Sequence, residues 1–132
     1  MCRVNRRSVD MKIESKQENN VGIIHIKGKL IGAPETDDLH ECVDKFLHQQ
    51  IKQVIIDLKD VEWMGSVGLG ALMRDLVTVC HAGGEFLVAN PSEKVMNLFK
   101  ITKLSGVVKT FPGVKEAMQY LNKHHEQGLK NN

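Results

Sequence analysis

The chain has 132 residues, 26% of them charged, with a formal net charge of +2 and three cysteines. That length suits one domain that buries a core without staples, and the near balance of charge leaves no electrostatic footprint for nucleic acid or an acidic membrane. Cys2, Cys42 and Cys80 are odd in number without C-x-x-C spacing, and no apolar run is long enough for a signal peptide or membrane span, so a reduced, cytoplasmic protein is expected.

Residues 1–10, MCRVNRRSVD, carry three arginines and no period, which predicts a flexible arm outside the core, with Met11 an alternative start. A weak strand around Lys12 to Lys16, the turn Asn19-Asn20 and a clearer strand from Val21 to Lys27 then read as a hairpin. His25 lies in the second strand with no other histidine at ligand spacing, so it reads as a partly buried structural residue. After Leu30-Ile31-Gly32-Ala33-Pro34 a helix is predicted, with Leu39, Cys42, Val43, Phe46 and Leu47 inward. Pro34 suits its first turn, and Glu35, Asp37 and Asp38 are explained by the positive helix end rather than by a metal or an acid/base pair.

The centre of the chain is Ile55 to Cys80. The β-branched run Val54-Ile55-Ile56, bounded by Asp57, Lys59 and Asp60, predicts a short buried strand that ends in a polar loop. Beyond Gly65 the period changes: Leu69, Leu72, Met73, Leu76, Val79 and Cys80 recur at steps of three and four, giving a helix with Ser66 as its N-cap and Cys80 in the core. Gly68 and Gly70 lie in the first turns, where each costs roughly 1 kcal/mol relative to alanine. Val67, Gly70, Ala71, Arg74 and Thr78 fall on the other side of the wheel as a stripe of mostly small side chains around one cation, open to the close approach of another surface. A purely structural reading has Gly68 packed on a strand and Ser66 as no more than a cap.

Ala82-Gly83-Gly84 ends that helix and Glu85 to Ala89 gives a further buried strand. Ser92 is placed to cap a third helix through Val95, Met96, Leu98 and Phe99 that stops near Ser105-Gly106, before a strand from Val107-Val108 to Phe111. Pro112-Gly113 leads into a last helix with Val114, Ala117, Met118 and Leu121 inward. From Lys123 the sequence KHHEQGLKNN is polar and aperiodic, which predicts a frayed tail over 123–132 and leaves His124 and His125 pointing apart. Strand and helix alternate three times after the hairpin, the pattern of an α/β domain with parallel strands and right-handed crossovers. Ligands of such sheets bind beyond the carboxyl ends of strands, and the loop before Ser66 is such a place.

Enzyme signatures do not fit. The glycines of Gly65-Ser66-Val67-Gly68-Leu69-Gly70 are spaced G-x-x-G-x-G with no G-K-[ST] following, and the next strand ends at Asn90 rather than at an acidic residue. Met64 stands where a nucleophile elbow needs glycine, and Cys80-His81 cannot act as a dyad when helical neighbours project about 100° apart.

Asp57-Leu58, Trp63-Met64 and Ser66-Val67-Gly68-Leu69-Gly70 together resemble the signature of the STAS domain of bacterial anti-sigma factor antagonists. The resemblance extends from about Val21 to Leu121 and includes Gly28-Lys29-Leu30, Ala82-Gly83-Gly84 and Ile101-Thr102-Lys103-Leu104. It implies an α/β STAS-like domain over 11–122, a mixed and mostly parallel sheet with about four helices packed mainly on one face. It implies a non-enzymatic protein without cofactor or metal whose Ser66 is phosphorylated by an anti-sigma factor that is a serine kinase. Unmodified, the protein would bind that anti-sigma factor and release sigma factor, with a serine phosphatase restoring the bound state. Gly65, Ser66, Val67, Gly70, Ala71 and Arg74 are the expected partner-binding residues. Many members carry aspartate or asparagine where this chain has Gly65, and serine or threonine where it has Val67. Those two positions support alternatives: a constitutive scaffold module that Ser66 does not control, or a module that binds a small ligand or nucleotide at the glycine-rich turn.

Overall fold

The computed structural model describes residues 3–4, 11–30 and 35–131. Six strands form one sheet in sequential order: β1 (Arg3–Val4), β2 (Met11–Glu18), β3 (Val21–Leu30), β4 (Gln53–Met64), β5 (Glu85–Ala89) and β6 (Lys109–Phe111). The first three pair antiparallel, and β3 to β6 run parallel, each parallel connection carrying a helix. The helices are α1 (Glu35–His48), α2 (Ser66–His81), α3 (Glu93–Ile101) and α4 (Val114–Asn131). The expected α/β class and mixed sheet are therefore present.

Alternation along the central strands assigns the two faces. Val54, Ile56, Phe86 and Val88 pack with Leu39, Val43, Leu72 and Phe99, so α1, α2 and α3 share one face. Ile55, Leu87 and Ala89 point the other way and pack with Ala117 and Leu121 of α4. At that second face Lys109 Nζ donates to Tyr120 Oη at 2.9 Å and to Glu85 Oε2 at 3.2 Å, fastening β5, β6 and α4 at the sheet edge.

Several local readings hold. Asn19 and Asn20 turn the hairpin in left-handed backbone, with φ of 52° and 65°. Ser92 caps α3 by accepting from Val95 N at 3.2 Å. Gly83, with φ of 86°, closes α2 by donating to Cys80 O at 3.0 Å while Gly84 donates to Val79 O at 3.0 Å. His25 is half-buried and bonds Asp60 at 2.8 Å.

Others are corrected. The polar stretch after Ile56 is not a loop, because β4 runs on to Met64 alongside β3. Two register shifts each insert an extra β4 residue, between the pairs His25↔Asp57 and Lys27↔Asp60 and between Gly28↔Val61 and Lys29↔Trp63. They bury Leu58, Val61 and Met64 at steps of three rather than two, which hides the strand from a search for alternation. The last strand begins at Lys109 rather than Val107, since the amides of Val107 and Val108 both donate to Leu104 O, at 2.9 and 3.0 Å. Within the span 123–132 expected as a frayed tail, helical backbone of α4 is described as far as Asn131. Of residues 1–10, Arg3–Val4 is described as strand and the rest of that call lies outside the described residues, as does Pro34.

Candidate functional site at the start of α2

β3 and β4 end side by side at Leu30 and Met64, and the chain turns there into α2 through Gly65. The Leu30 carbonyl fixes this junction twice. It accepts from Gly65 N at 3.2 Å, and it lies so close to Gly68 that a Cβ there would collide with it. Gly68 is thus the close-packing residue of the structural reading.

Ser66 is not the N-cap. Gly65 holds that position, in extended backbone with φ of −92°, and no side chain caps the helix. Ser66 is the first helical residue and is exposed. Leu69 N donates to Gly65 O at 2.9 Å, so the amides of Ser66, Val67 and Gly68 stand outside the helical ladder. With no acidic residue in the first turn, the positive end of the dipole is uncompensated beside the serine hydroxyl. A group bearing negative charge on Ser66 would find amides and dipole already aimed at it.

The stripe divides. Val67 is 59% exposed, and Gly70 and Arg74 are exposed, with nothing near a Cβ built on Gly70. Ala71 is buried. The buried residues of α2 are Gly68, Leu69, Ala71, Leu72, Asp75 and Val79, a face rotated by roughly 70° from the centre of the apolar residues. Gly68 causes the rotation, because its missing side chain lets the helix dock on its small-residue side. Cys80, expected in the core, is exposed as a result, and so is Val77.

Two features escaped the sequence reading. Asp75 is buried on α2 and its Oδ1 lies 2.6 Å from Nδ1 of His40 on α1. Burial pushes its carboxyl up to about 6, against the lowering effect of the His40 hydrogen bond. Single polar residues on two helices give no sequence signal for such pairing. The second is an apolar groove of about 340 Å³ between the end of β4 and α3, lined by Trp63, Met64, Leu98 and Ile101 with Glu62 and Lys94 at its rim. Trp63 and Ile101 are 51% and 78% exposed, and the groove begins three residues before Ser66.

Of the upstream carboxylates, Asp57 and Asp60 are engaged elsewhere, while Glu62 is exposed beside the groove. Asp57 Oδ1 accepts from Asn90 Nδ2 and from Lys59 N, both at 3.0 Å, and Asp60 holds His25.

Comparison with known proteins places this geometry. The STAS domain family matches residues 12–117. The anti-sigma-B factor antagonist of Bacillus subtilis is 31% identical over 100 residues, covering 76% of this chain and 90% of that protein. The anti-sigma F factor antagonist of Paenibacillus polymyxa is 25% identical over 105 residues, covering 79% and 86%. The crystal structure of an anti-sigma factor antagonist from Mycobacterium paratuberculosis superposes with a TM-score of 0.74 at 20% identity, over 85% of this chain and 94% of that one, which speaks to the fold. With a family match over most of its length and that fold beneath it, the chain belongs to the STAS domain family.

Proposed function

We propose that this protein is an anti-sigma factor antagonist of the cytoplasm, a binding module rather than an enzyme, that docks a serine-kinase anti-sigma factor at the start of α2. Phosphorylation of Ser66 by that kinase ends the docking, and a serine phosphatase restores it. One observation carries the reading: Ser66 is exposed at the first position of an uncapped helix, at the carboxyl ends of β3 and β4. Exposed Val67, Gly70 and Arg74 continue the face along the helix, and the names of the relatives supply the class of partner. Gly65 and Ser66 complete the contact, while Ala71 supports it from beneath.

Incubating the protein with candidate serine-kinase anti-sigma factors and ATP, read by intact mass, peptide mapping and complex formation, tests this reading. One phosphate on Ser66, with loss of the complex, is the expected result. Phosphate on Ser92 or Ser105 with Ser66 unmodified overturns it. A constitutive scaffold module is the second reading, favoured by Gly65, which presents no side chain to the kinase or the phosphate. It predicts a complex that survives phosphorylation. The small-ligand reading has less to rest on, because Gly68 is accounted for by its close packing on Leu30.

A further inference from the structure

We propose that His40 and Asp75 form a proton-operated latch between α1 and α2 that sets how α2, and with it Ser66, is held. The pair is nearly dry, with side-chain exposures of 14% and 3% and a separation of 2.6 Å. It is a polar contact between two helices that bury Leu39, Val43, Leu69 and Leu72 in the core. Asp75 Oδ1 faces His40, but Oδ2 is buried with no hydrogen-bond partner among the described residues. A carboxylate so placed exposes half its charge to nothing, and a buried charge without a partner is strongly unfavourable.

A proton resolves this. When the pair gains one on Asp75, the carboxyl charge is removed while Oδ1 stays beside His40. When the pair loses one, Oδ2 carries uncompensated charge, and the helix relieves it by loosening from α1 and admitting water. Burial pushes Asp75 up to about 6, so the change falls near neutrality. The charged groups acting on Asp75 are His40 and Asp44 from α1 and Arg74 from its own helix. Beneath α2 the sheet presents Ile56, Phe86 and Val88, which do not titrate. Gly68, wedged on Leu30, transmits a shift of α2 to the adjoining Ser66 turn.

The inference needs no partner protein. Amide spectra of the full chain between pH 4.5 and 7.5 should show Ser66, Val67, Gly68 and Gly70 moving together with a midpoint near 6, and hydrogen exchange along α2 should quicken several-fold above it. Asp75→Asn should abolish that transition. His25→Gln and His81→Gln should retain it, since those histidines lie on a different pair and at the far end of α2. Should Asp75→Asn fail to fold, the carboxyl carbon of Asp75 and the ring nitrogens of His40 are followed in the unsubstituted protein. A common midpoint that the α2 amides share supports the latch. An Asp75 that titrates as an ordinary aspartate, or a transition that survives Asp75→Asn, overturns it.

Discussion

Gly68 and Gly70 stand two residues apart on α2 and meet opposite surroundings. A side chain at Gly68 would enter the Leu30 carbonyl, a backbone atom that cannot turn away, whereas Gly70 faces open space. Gly68→Ala should therefore destabilise the domain by about 1–3 kcal/mol, and Gly70→Ala should stabilise it by about 0.5–1 kcal/mol. Urea denaturation distinguishes the two, with m unchanged for Gly70→Ala. A glycine retained at a weakening, exposed position is consistent with a surface kept bare for a partner, so Gly70→Gln should impair docking to the anti-sigma factor while the fold is kept. Ala71→Glu is not a clean interface probe, because it places a charge in a buried position.

Asp75 adds a pH dependence whose sign follows from its raised pKa. Its carboxyl titrates at about 6 in the fold against 3.8 as a free group. Between those values the folded state binds more protons than the unfolded one, so stability falls as pH rises. The contribution is fully present below about 3.8 and lost as pH passes about 6. Measured as the difference between the protein and Asp75→Asn in thermal or urea unfolding, it should change by on the order of 2–3 kcal/mol across that window. A flat difference would mean that Asp75 is solvated.

At the scale of the elements, the order of strands and helices was legible because most apolar runs are bounded by glycine, proline or polar residues, as Ser92 and Gly83 show. The far half of β4 was not, since two inserted residues replace alternation by a step of three. Nor was the rotation of α2. Periodicity locates the most apolar face, but docking selected the face with the smallest atoms, and Asp75 could be buried there only because α1 brought His40. The position of Ser66 at the helix start was legible, while the cap expected of it is absent, because Gly65 takes the cap position and no side chain caps the helix. Arg74, exposed on the outward side of the rotated helix, is now the cleaner probe of the surface. Arg74→Glu should lower the affinity for the anti-sigma factor, as read by calorimetry. In α4 the last described buried residue is Leu121, and removal of residues 124–132 should leave the melting temperature within a few degrees.

For the whole molecule, the decisive contrast is between what phosphate at Ser66 does to the fold and what it does to a complex. Phosphoserine brings a charge of about −1.5 to −2. At the start of α2 it meets unladdered amides and a dipole that favour it by about 0.3–2 kcal/mol. Asp57 and Asp60 oppose it weakly. They precede Met64 by roughly 23 and 13 Å of extended strand, beyond a Debye length of about 8–10 Å at ordinary salt, and each is engaged with Asn90 or His25. Stability should change little. A dry interface laid over the same serine has no such welcome, because burying an unpartnered charge costs several kcal/mol and each 1.4 kcal/mol is tenfold in affinity. Docking should then fall by at least about a hundredfold while the melting temperature moves by only a few degrees. Ser66→Asp should reproduce the loss in part, with one charge and a shorter reach. Ser66→Ala should bind as the unmodified protein does, and its stability should fall by less than the roughly 1 kcal/mol of a lost cap, since the hydroxyl caps nothing. Paired melting curves and affinities for the unmodified, phosphorylated, Ser66→Asp and Ser66→Ala forms separate the two quantities. Equal affinity of the phosphorylated and unmodified forms would overturn the switch and leave a constitutive module built on the same face.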